Sequence, residues 1–229
     1  MWKMSDIIFC QSESLTNYFI EKYKNINAYT LLNPSRENNS QNVNFLKFKK
    51  YNKKDVTFSY LGNIGKAQSI ELFLNSFESI KEKNFTINMC GDGSSLEYFK
   101  KKYNNSNVIW HGWIENIKLI NVIQETDIFI LSLNSYGRQS LIVPSKLQTY
   151  FKYSKPILCL ASGASSDLII KTNTGIICND LRKEKIIQSI ESMLDLDQEI
   201  YDKMSKNCYN YYLKMLSPEK IADDFIKLI

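Results

Sequence analysis

From Val56 onward, short apolar runs alternate with segments in which apolar residues recur every three or four positions. The short runs predict β-strands at 56–61, 85–90, 108–112, 127–133, 156–161 and 174–178. The segments between them predict amphipathic helices at 67–80, 95–103, 116–125, 145–153 and 164–171. Strands that are apolar throughout and separated by helices indicate a parallel sheet covered on both faces. The expected fold class is therefore α/β, a Rossmann-like doubly wound sheet.

The two ends of the chain depart from this alternation. A strand at 6–10, a helix at 12–23 and a strand at 28–32 come first, and such a two-strand piece cannot bury a core alone. We therefore expect 1–35 to be the remnant of a further domain, 36–54 a polar linker, and 55–195 the nucleotide-binding domain. The residues 196–229 predict C-terminal helices, the last of them capped by Ser217.

The composition is that of an ordinary globular protein, with 44% hydrophobic and 23% charged residues in a chain of 229. A net charge of +5 raises nucleic acid as a partner, but no nucleic-acid-binding signature occurs, so we expect none. Without a signal peptide or an apolar run of the roughly 20 residues that cross a bilayer, we expect a cytoplasmic protein. The segment 47–54, with Phe45 and Phe48, is either a solvated linker or a peripheral contact with the anionic inner face of the membrane.

The cysteines and the single histidine give no sign of metal or nucleophile chemistry. None of the five cysteines forms a CxxC pair, so we interpret them as buried small hydrophobes in a reducing compartment. They are Cys10, Cys90, Cys159, Cys178 and Cys208. His111 ends a predicted strand, a position more typical of a structural residue, and no nucleophile elbow is present.

The turn after the strand 56–61 carries the strongest chemical signal. It contains Gly62, Asn63, Gly65 and Lys66, and a predicted helix follows. Small residues let the backbone approach a ligand, while a helix N-terminus presents unpaired N–H groups and a partial positive charge. The turn therefore predicts a diphosphate site, although glycines that merely close a tight turn fit it equally well. A dinucleotide site is disfavoured because the turn lacks G-x-G-x-x-G.

Further motifs follow in order: GNIGKAQ at 62–68, CGDG at 90–93, GW at 112–113, VPSKL at 143–147 and KPIL at 155–158. Together they resemble the C-terminal half of family 4 glycosyltransferases, in particular those that build bacterial surface polysaccharides such as capsule and O-antigen. The resemblance implies a GT-B fold and retaining transfer from a UDP- or GDP-sugar to a glycan or lipid-linked acceptor, without metal or cofactor. Residues 6–12 and 31–34 resemble the end of the family's N-terminal acceptor domain. A separate protein would then supply that domain, or the chain is a truncated remnant.

The resemblance also implies a donor-binding role for a set of residues at the strand ends. They are Gly62, Asn63, Gly65, Lys66, Gly91, Asp92, Gly93, Gly112, Trp113, Ser145 and Thr149. Trp113 would stack on the base, although it is equally a candidate packing residue. Lys146 would stabilise the leaving diphosphate, and Arg138 is a second candidate for that role. We also expect Ser145 to cap the helix that begins there.

One departure from the family bears on activity. Leu141 and Thr149 stand where the family commonly carries two glutamates, the second of which contacts the ribose, and neither offers a carboxylate. Thr149 or Gln148 would hydrogen-bond the ribose less strongly than an anion. A non-catalytic nucleotide-sugar-binding subunit or a degenerate fragment therefore remains an alternative. A different GT-B enzyme, such as a UDP-sugar 2-epimerase, is disfavoured because the chain has one histidine.

Overall fold

The structure, a computed structural model, describes residues 5–23, 25–34, 51–81, 84–104, 107–134 and 136–228. Its strands are β1 (Ile8–Cys10), β2 (Ala28–Thr30), β3 (Val56–Leu61), β4 (Phe85–Cys90), β5 (Val108–Gly112), β6 (Ile128–Ser132), β7 (Ile157–Leu160) and β8 (Gly175–Ile177). Its α-helices are α1 (Glu13–Lys22), α2 (Ile70–Phe77), α3 (Leu96–Lys102), α4 (Asn116–Glu125), α5 (Ser145–Lys152), α6 (Ala164–Thr172), α7 (Lys183–Leu194), α8 (Gln198–Tyr211) and α9 (Pro218–Leu228). Short 3-10 helices lie at Lys66–Gln68 and Gly137–Leu141, and a π-helical turn, Tyr212–Leu216, continues α8.

Strands β3 to β8 form one parallel sheet in the order β5-β4-β3-β6-β7-β8. The chain starts in the middle of this sheet, winds to one edge, returns and winds to the other, so the predicted Rossmann-like doubly wound sheet is confirmed. The strand order reverses between β3 and β6. Ligands of such sheets bind in the crevice outside the carboxyl ends of the strands at this reversal.

The core lies on both faces of the sheet because successive side chains of a strand point in opposite directions. Phe58 and Tyr60 of β3 are wholly buried in the cluster that also contains residues of α2 and α7. Leu61 faces the opposite cluster, to which α5 contributes Leu147 and Phe151. This double covering explains why the strands are apolar throughout instead of alternating with polar residues.

Residues 51–54 belong to the packed domain. Tyr51 is 6% exposed, stacks on Tyr201 with ring centroids 4.7 Å apart, and donates a hydrogen bond of 2.6 Å to the carbonyl of Met193. Lys53 donates to the Asp195 carbonyl at 2.9 Å. The prediction that residues 51–54 belong to the linker 36–54 is therefore wrong. The segment is polar, but the ring of Tyr51 packs into the core of the domain. The rest of it, with Phe45 and Phe48, lies outside the described residues.

Strands β1 and β2 form a separate parallel pair, packed on α1 around a core of Ile8, Cys10 and Ala28. Ser12 caps α1 by accepting a hydrogen bond from the Leu15 N–H at 3.1 Å, and its hydroxyl also donates to the carbonyl of Leu141. The small unit thus touches the loop between β6 and α5.

All five cysteines are buried, as predicted, and each is present as a free thiol. No α-helix among the described residues combines the length and apolar content that a membrane crossing needs. Ser217 caps α9 as predicted, because its hydroxyl accepts the Lys220 N–H at 3.2 Å.

Candidate functional site

The loops that follow β3 and β4 lie against each other at the reversal of strand order. The Ile64 N–H donates to the Asp92 carbonyl at 2.8 Å, and the Ser95 N–H donates to the Ile64 carbonyl at 3.0 Å. A Cβ atom on Gly91 would lie 1.9 Å from the Gly62 carbonyl oxygen, and one on Gly93 would lie 2.4 Å from the Ile64 oxygen. Gly91 and Gly93 are thus required by contact between two loops, and this contact fixes the shape of the first loop.

Part of the predicted phosphate cradle is occupied by this packing. The Gly62 N–H donates to the Cys90 carbonyl at 2.8 Å, and the Ile64 N–H is used as described above. No hydrogen bond within the described ranges engages the N–H groups of Asn63, Gly65 or Lys66. The cradle that remains for an anion is therefore the second half of the loop.

The helix predicted to begin at residue 67 starts later. Lys66–Gln68 is a 3-10 turn, Ser69 adopts a left-handed conformation with φ of 49°, and α2 begins at Ile70. The α-helix N-terminus is therefore separated from the glycine loop, and the predicted helix-dipole contribution at this loop is wrong. Periodicity could not detect the break, because the apolar spacing continues through it.

Lys146 reaches across from the first turn of α5 to this loop. A Cβ atom on Gly62 would lie 3.3 Å from both Cε and Nζ of Lys146. Nζ donates a hydrogen bond of 2.8 Å to the Tyr60 hydroxyl and lies 4.1 Å from the centroid of that ring, a cation–π distance. The Tyr60 hydroxyl in turn donates to the Asn63 carbonyl at 2.7 Å. Strand, loop and helix therefore share one polar cluster.

The ionisation of Lys146 is altered by its position. Burial against the loop and the Tyr60 ring removes water from the ammonium group and lowers the pKa of Lys146 to about 7. The side chain is thus divided between its charged and neutral forms near neutral pH. An anion placed beside it would favour the charged form.

Tyr150, one turn further along α5, fixes this helix at the reversal of strand order. Its hydroxyl donates to the Ile130 carbonyl at 3.0 Å and accepts the Leu61 N–H at 3.2 Å, and its ring stacks on Phe129 with centroids 4.2 Å apart. The paired residues of β3 and β6 are Phe58 with Ile128 and Ser59 with Phe129. Beyond these pairs the Tyr150 hydroxyl bridges the diverging strands. Sequence reasoning missed the roles of Tyr60 and Tyr150. Both are tyrosines at core positions, Tyr60 near the end of β3 and Tyr150 within α5.

The remaining predicted residues of α5 are placed as follows. Ser145 is the first helical residue, the cap position is Pro144, and no side chain caps this helix, so the predicted capping by Ser145 is wrong. Thr149 is half-buried, whereas Gln148 is only 2% exposed. Of the two, Thr149 is the residue from which a ligand at the surface can obtain a hydrogen bond.

Arg138 is exposed in the 3-10 helix Gly137–Leu141. The Tyr18 hydroxyl on α1 has a lowered pKa, chiefly through its hydrogen bond with Lys22, and the charge of Arg138 adds to this effect. Arg138 therefore lies on the side of the site that faces α1. The structure brings Lys146 and Gly62 together, and no described hydrogen bond or ion pair joins Arg138 to them.

The end of β5, the edge strand beside β4, contacts the loop that follows β4. Trp113 is 67% exposed, so it does not serve as a core residue, and Gly112 has φ of +65° with open space where a Cβ atom would stand. The Gly112 carbonyl accepts the Gly91 N–H at 2.8 Å. Next to it, His111 shares a 2.8 Å hydrogen bond with Asn88, and burial lowers the pKa of His111. These contacts support the structural interpretation of His111.

A cavity of about 360 Å³ opens at the carboxyl ends of β6, β7 and β8. Its lining is mixed polar and apolar: Leu133, Asn134, Tyr136, Ala161, Ser162, Asn179, Asp180 and Leu181. None of these residues belongs to the set for which the sequence predicted a donor-binding or catalytic role. Across the described ranges, no group of three or more His, Cys, Asp or Glu side chains is placed to hold a metal ion.

Comparison with known proteins agrees with this geometry. A family model described as "Glycosyl transferases group 1" matches residues 41–211. A Klebsiella pneumoniae protein described as an uncharacterized 41.2 kDa protein in the cps region is 21% identical over 140 residues, which cover 61% of this chain and 37% of that protein.

Solved structures of similar fold cover nearly the whole chain. Sucrose-phosphate synthase from Thermosynechococcus elongatus matches with a TM-score of 0.78 at 14% identity, over 99% of this chain and 58% of its own. Anabaena Alr3699/HepE, solved with UDP and glucose, matches with a TM-score of 0.73 at 10% identity, over 99% and 63%. The chain therefore spans about three fifths of these structures. The likeness shows the fold, the Rossmann-like half of a GT-B protein.

Proposed function

Because the chain belongs to the group 1 glycosyl transferases, we propose that it binds a nucleotide-sugar donor and takes part in transfer of the sugar to a glycan or lipid-linked acceptor. The observation that carries this proposal is the position of Lys146, whose amine is in contact range of Gly62 at the reversal of strand order. Ligands of doubly wound sheets bind at that place. The α/β fold and a glycosyltransferase family were both predicted from the sequence, and both are confirmed.

In this proposal the site stabilises the leaving group of the transfer reaction. When the sugar departs, negative charge develops on the nucleoside diphosphate, and a fixed cation nearby lowers the barrier. Lys146 would supply that cation, with Lys66 and the N–H groups of Asn63 and Gly65 completing the anion site. Lys66 is exposed beside the loop, which leaves its ammonium free to turn toward a phosphate.

The donor would be a UDP- or GDP-sugar. The exposed face of Trp113 offers a stacking surface for the base, and Thr149 offers a hydroxyl to the ribose. Binding of UDP by the Anabaena structure supports this class of donor. The cps-region relative and the sequence resemblance support a place in surface-polysaccharide synthesis, with retention of anomeric configuration as the resemblance implies.

The acceptor would be bound together with a second domain. The β1–β2 sheet has two strands and three buried apolar residues, too small a core for independent stability. We propose that this sheet is extended by an acceptor domain. Co-expression with a candidate acceptor-domain protein should protect the β1 and β2 amides from hydrogen exchange. Unchanged exchange in a complex that still forms would contradict this arrangement.

The alternative is a non-catalytic nucleotide-sugar-binding subunit. Thr149 favours it, because a hydroxyl holds a ribose less strongly than a carboxylate would. Release of UDP or GDP from the nucleotide sugar, assayed with and without the acceptor-domain protein, separates the two. If the donor binds but no UDP or GDP is released, with or without the acceptor-domain protein, the non-catalytic alternative would be favoured.

The donor site is tested by calorimetric titration of the 229-residue chain with UDP, GDP and NAD. We expect UDP or GDP to bind, and Lys146→Met and Lys66→Met to weaken that binding about tenfold or more, which is the loss of roughly 1.4 kcal/mol. Lys203→Met is the matched control, because Lys203 is an exposed lysine on α8. Selective binding of NAD, or equal losses in all three variants, would contradict the proposal.

A further inference from the structure

Tyr60 is a buried phenol with both of its hydrogen-bonding roles fulfilled at the edge of the proposed donor site. It donates to the Asn63 carbonyl at 2.7 Å and accepts from Lys146 Nζ at 2.8 Å. Its ring is 0% exposed and lies beneath Nζ at 4.1 Å. One side chain therefore sets the position of the amine and of the loop backbone at the same time.

We propose that Tyr60 is a positioning residue that holds the Lys146 amine beside Gly62, and that binding of a nucleoside diphosphate there is coupled to proton uptake by Lys146. The proposal rests on the donor site described above. The step is a proton transfer: an N–H bond forms on the neutral amine, solvent or buffer gives up the proton, and the resulting ammonium faces the diphosphate. The neutral phenol supplies an acceptor oxygen and a π face, both of which orient an ammonium without neutralising its charge.

The groups around Lys146 explain why it is partly uncharged before a ligand arrives. Burial, the largest influence, lowers its pKa to about 7. Burial also raises the pKa values of Tyr60, of Tyr150 on α5 and of Cys90 at the end of β4, so none of these is an anion near neutral pH. Among the described residues the neighbouring loops carry the exposed charged groups Asp92, Lys66 and Arg138. Lys66 and Arg138 have the same sign of charge as Lys146, and no described ion pair joins Asp92 to it.

The size of the pH effect follows from linkage. The neutral fraction of Lys146 must be protonated for the diphosphate to bind fully, so the dissociation constant rises with pH above the pKa of the free protein. A pKa of about 7 predicts affinity about fivefold weaker at pH 8 than at pH 7, and about tenfold weaker for each further unit. Below pH 6 the effect of Lys146 levels off, because the side chain is already charged.

The test is calorimetric titration of the full chain with UDP and with GDP at pH 8, in two buffers of different ionisation enthalpy. We expect uptake of about 0.9 proton per nucleotide bound at pH 8 and about half a proton at pH 7. Lys146→Met should abolish this uptake. Tyr60→Phe keeps the ring but removes the oxygen that accepts a hydrogen bond from Lys146. Removal of this oxygen favours the neutral amine, so the variant should lose more nucleotide affinity at pH 8 than at pH 6. Tyr98→Phe, an exposed tyrosine on α3, is the control.

The outcomes separate this inference from the donor site itself. Binding of UDP or GDP without proton uptake, or with the same pH profile in Lys146→Met, overturns the proton coupling and leaves the donor site standing. If the unaltered chain takes up a proton on binding, and a folded Tyr60→Phe variant has the same pH dependence of affinity, the role of Tyr60 is overturned. Binding of neither nucleotide between pH 6 and 8 overturns both the donor site and this inference. If Tyr60→Phe fails to fold, proton uptake by the unaltered chain and its loss in Lys146→Met decide the coupling.

Discussion

Replacing Gly91 by alanine tests whether the two glycine loops are packed as described. A Cβ atom at this position would lie 1.9 Å from the carbonyl oxygen of Gly62 and 2.7 Å from its carbonyl carbon. Real Cβ contacts are essentially never shorter than 3.0 Å, so the loops must separate by about 1 Å. Gly91 also has φ of +143°, a conformation that residues with a Cβ atom rarely adopt.

Two terms set the magnitude. Overpacking of a well-packed site costs about 1–3 kcal/mol, and a left-handed backbone with a Cβ atom costs about 1–2 kcal/mol. Gly91→Ala should therefore lower the free energy of unfolding by about 2–5 kcal/mol. Gly137→Ala is the matched control, because Gly137 has φ of +58° and no neighbour within 4 Å of its Cβ position. It should lose only the backbone term, about 1 kcal/mol.

The assay is urea unfolding of both variants beside the unaltered chain. With a slope of about 3 kcal/mol per M, Gly91→Ala should lower the transition midpoint by about 1–2 M. A loss within about 0.5 kcal/mol of that of Gly137→Ala would refute the packing of the two loops, and with it the explanation given for Gly91.

Three further predictions concern buried polar contacts and a helix cap. Tyr150→Phe leaves the Leu61 N–H and the Ile130 carbonyl without the hydroxyl that joins them, so it should lower the free energy of unfolding in urea by about 1–3 kcal/mol. The control Tyr98→Phe should change it by almost nothing, and equal losses in the two variants would contradict the bridge. Burial lowers the pKa of His111 in the folded chain below its ordinary 6.5, so His111 binds a proton more readily in the unfolded chain. The free energy of unfolding therefore decreases as the pH falls below about 6.5. His111→Gln should therefore lose less stability between pH 7 and 5, and parallel profiles would refute this. Ser217→Ala should cost about 1 kcal/mol by removing the cap of α9, whereas a neutral effect in the same assay would mean that water replaces it.

The three strands in one half of the sheet could be predicted from the sequence with their bounds. Predicted strands 56–61, 85–90 and 108–112 coincide with β3, β4 and β5. The other three were predicted one residue too long at each end. Ala161 and Cys178 show why: both are buried apolar residues just beyond the ladder, and the sequence pattern reports burial, not strand pairing. Strand bounds are therefore predicted only to within one residue where buried apolar residues continue past the hydrogen-bonded ladder.

The site was harder to predict, because it depends on contacts between distant parts of the chain. The sequence identified Lys146 and Gly62 separately, but their approach follows from the placement of α5 by Tyr150, which reads as an ordinary core residue. The resemblance implied a donor-binding role for Gly91 and Gly93, which stays a prediction, but it gave no sign that they also pack against the Gly62 and Ile64 carbonyls. The left-handed Ser69 had no signal in the apolar spacing. The sequence therefore indicated which residues could contact an anion, but it did not indicate which loops would pack against each other.

The measurement that tests the central claim most directly is a crystal structure of the chain with whichever of UDP and GDP it binds. We expect diphosphate oxygens within hydrogen-bonding distance, about 2.7–3.2 Å, of Lys146 Nζ and of the N–H groups of Asn63 and Gly65, with the base on Trp113. A nucleotide bound elsewhere, for example in the cavity lined by Asn134 and Asp180, would contradict the assignment of the donor site to the reversal between β3 and β6.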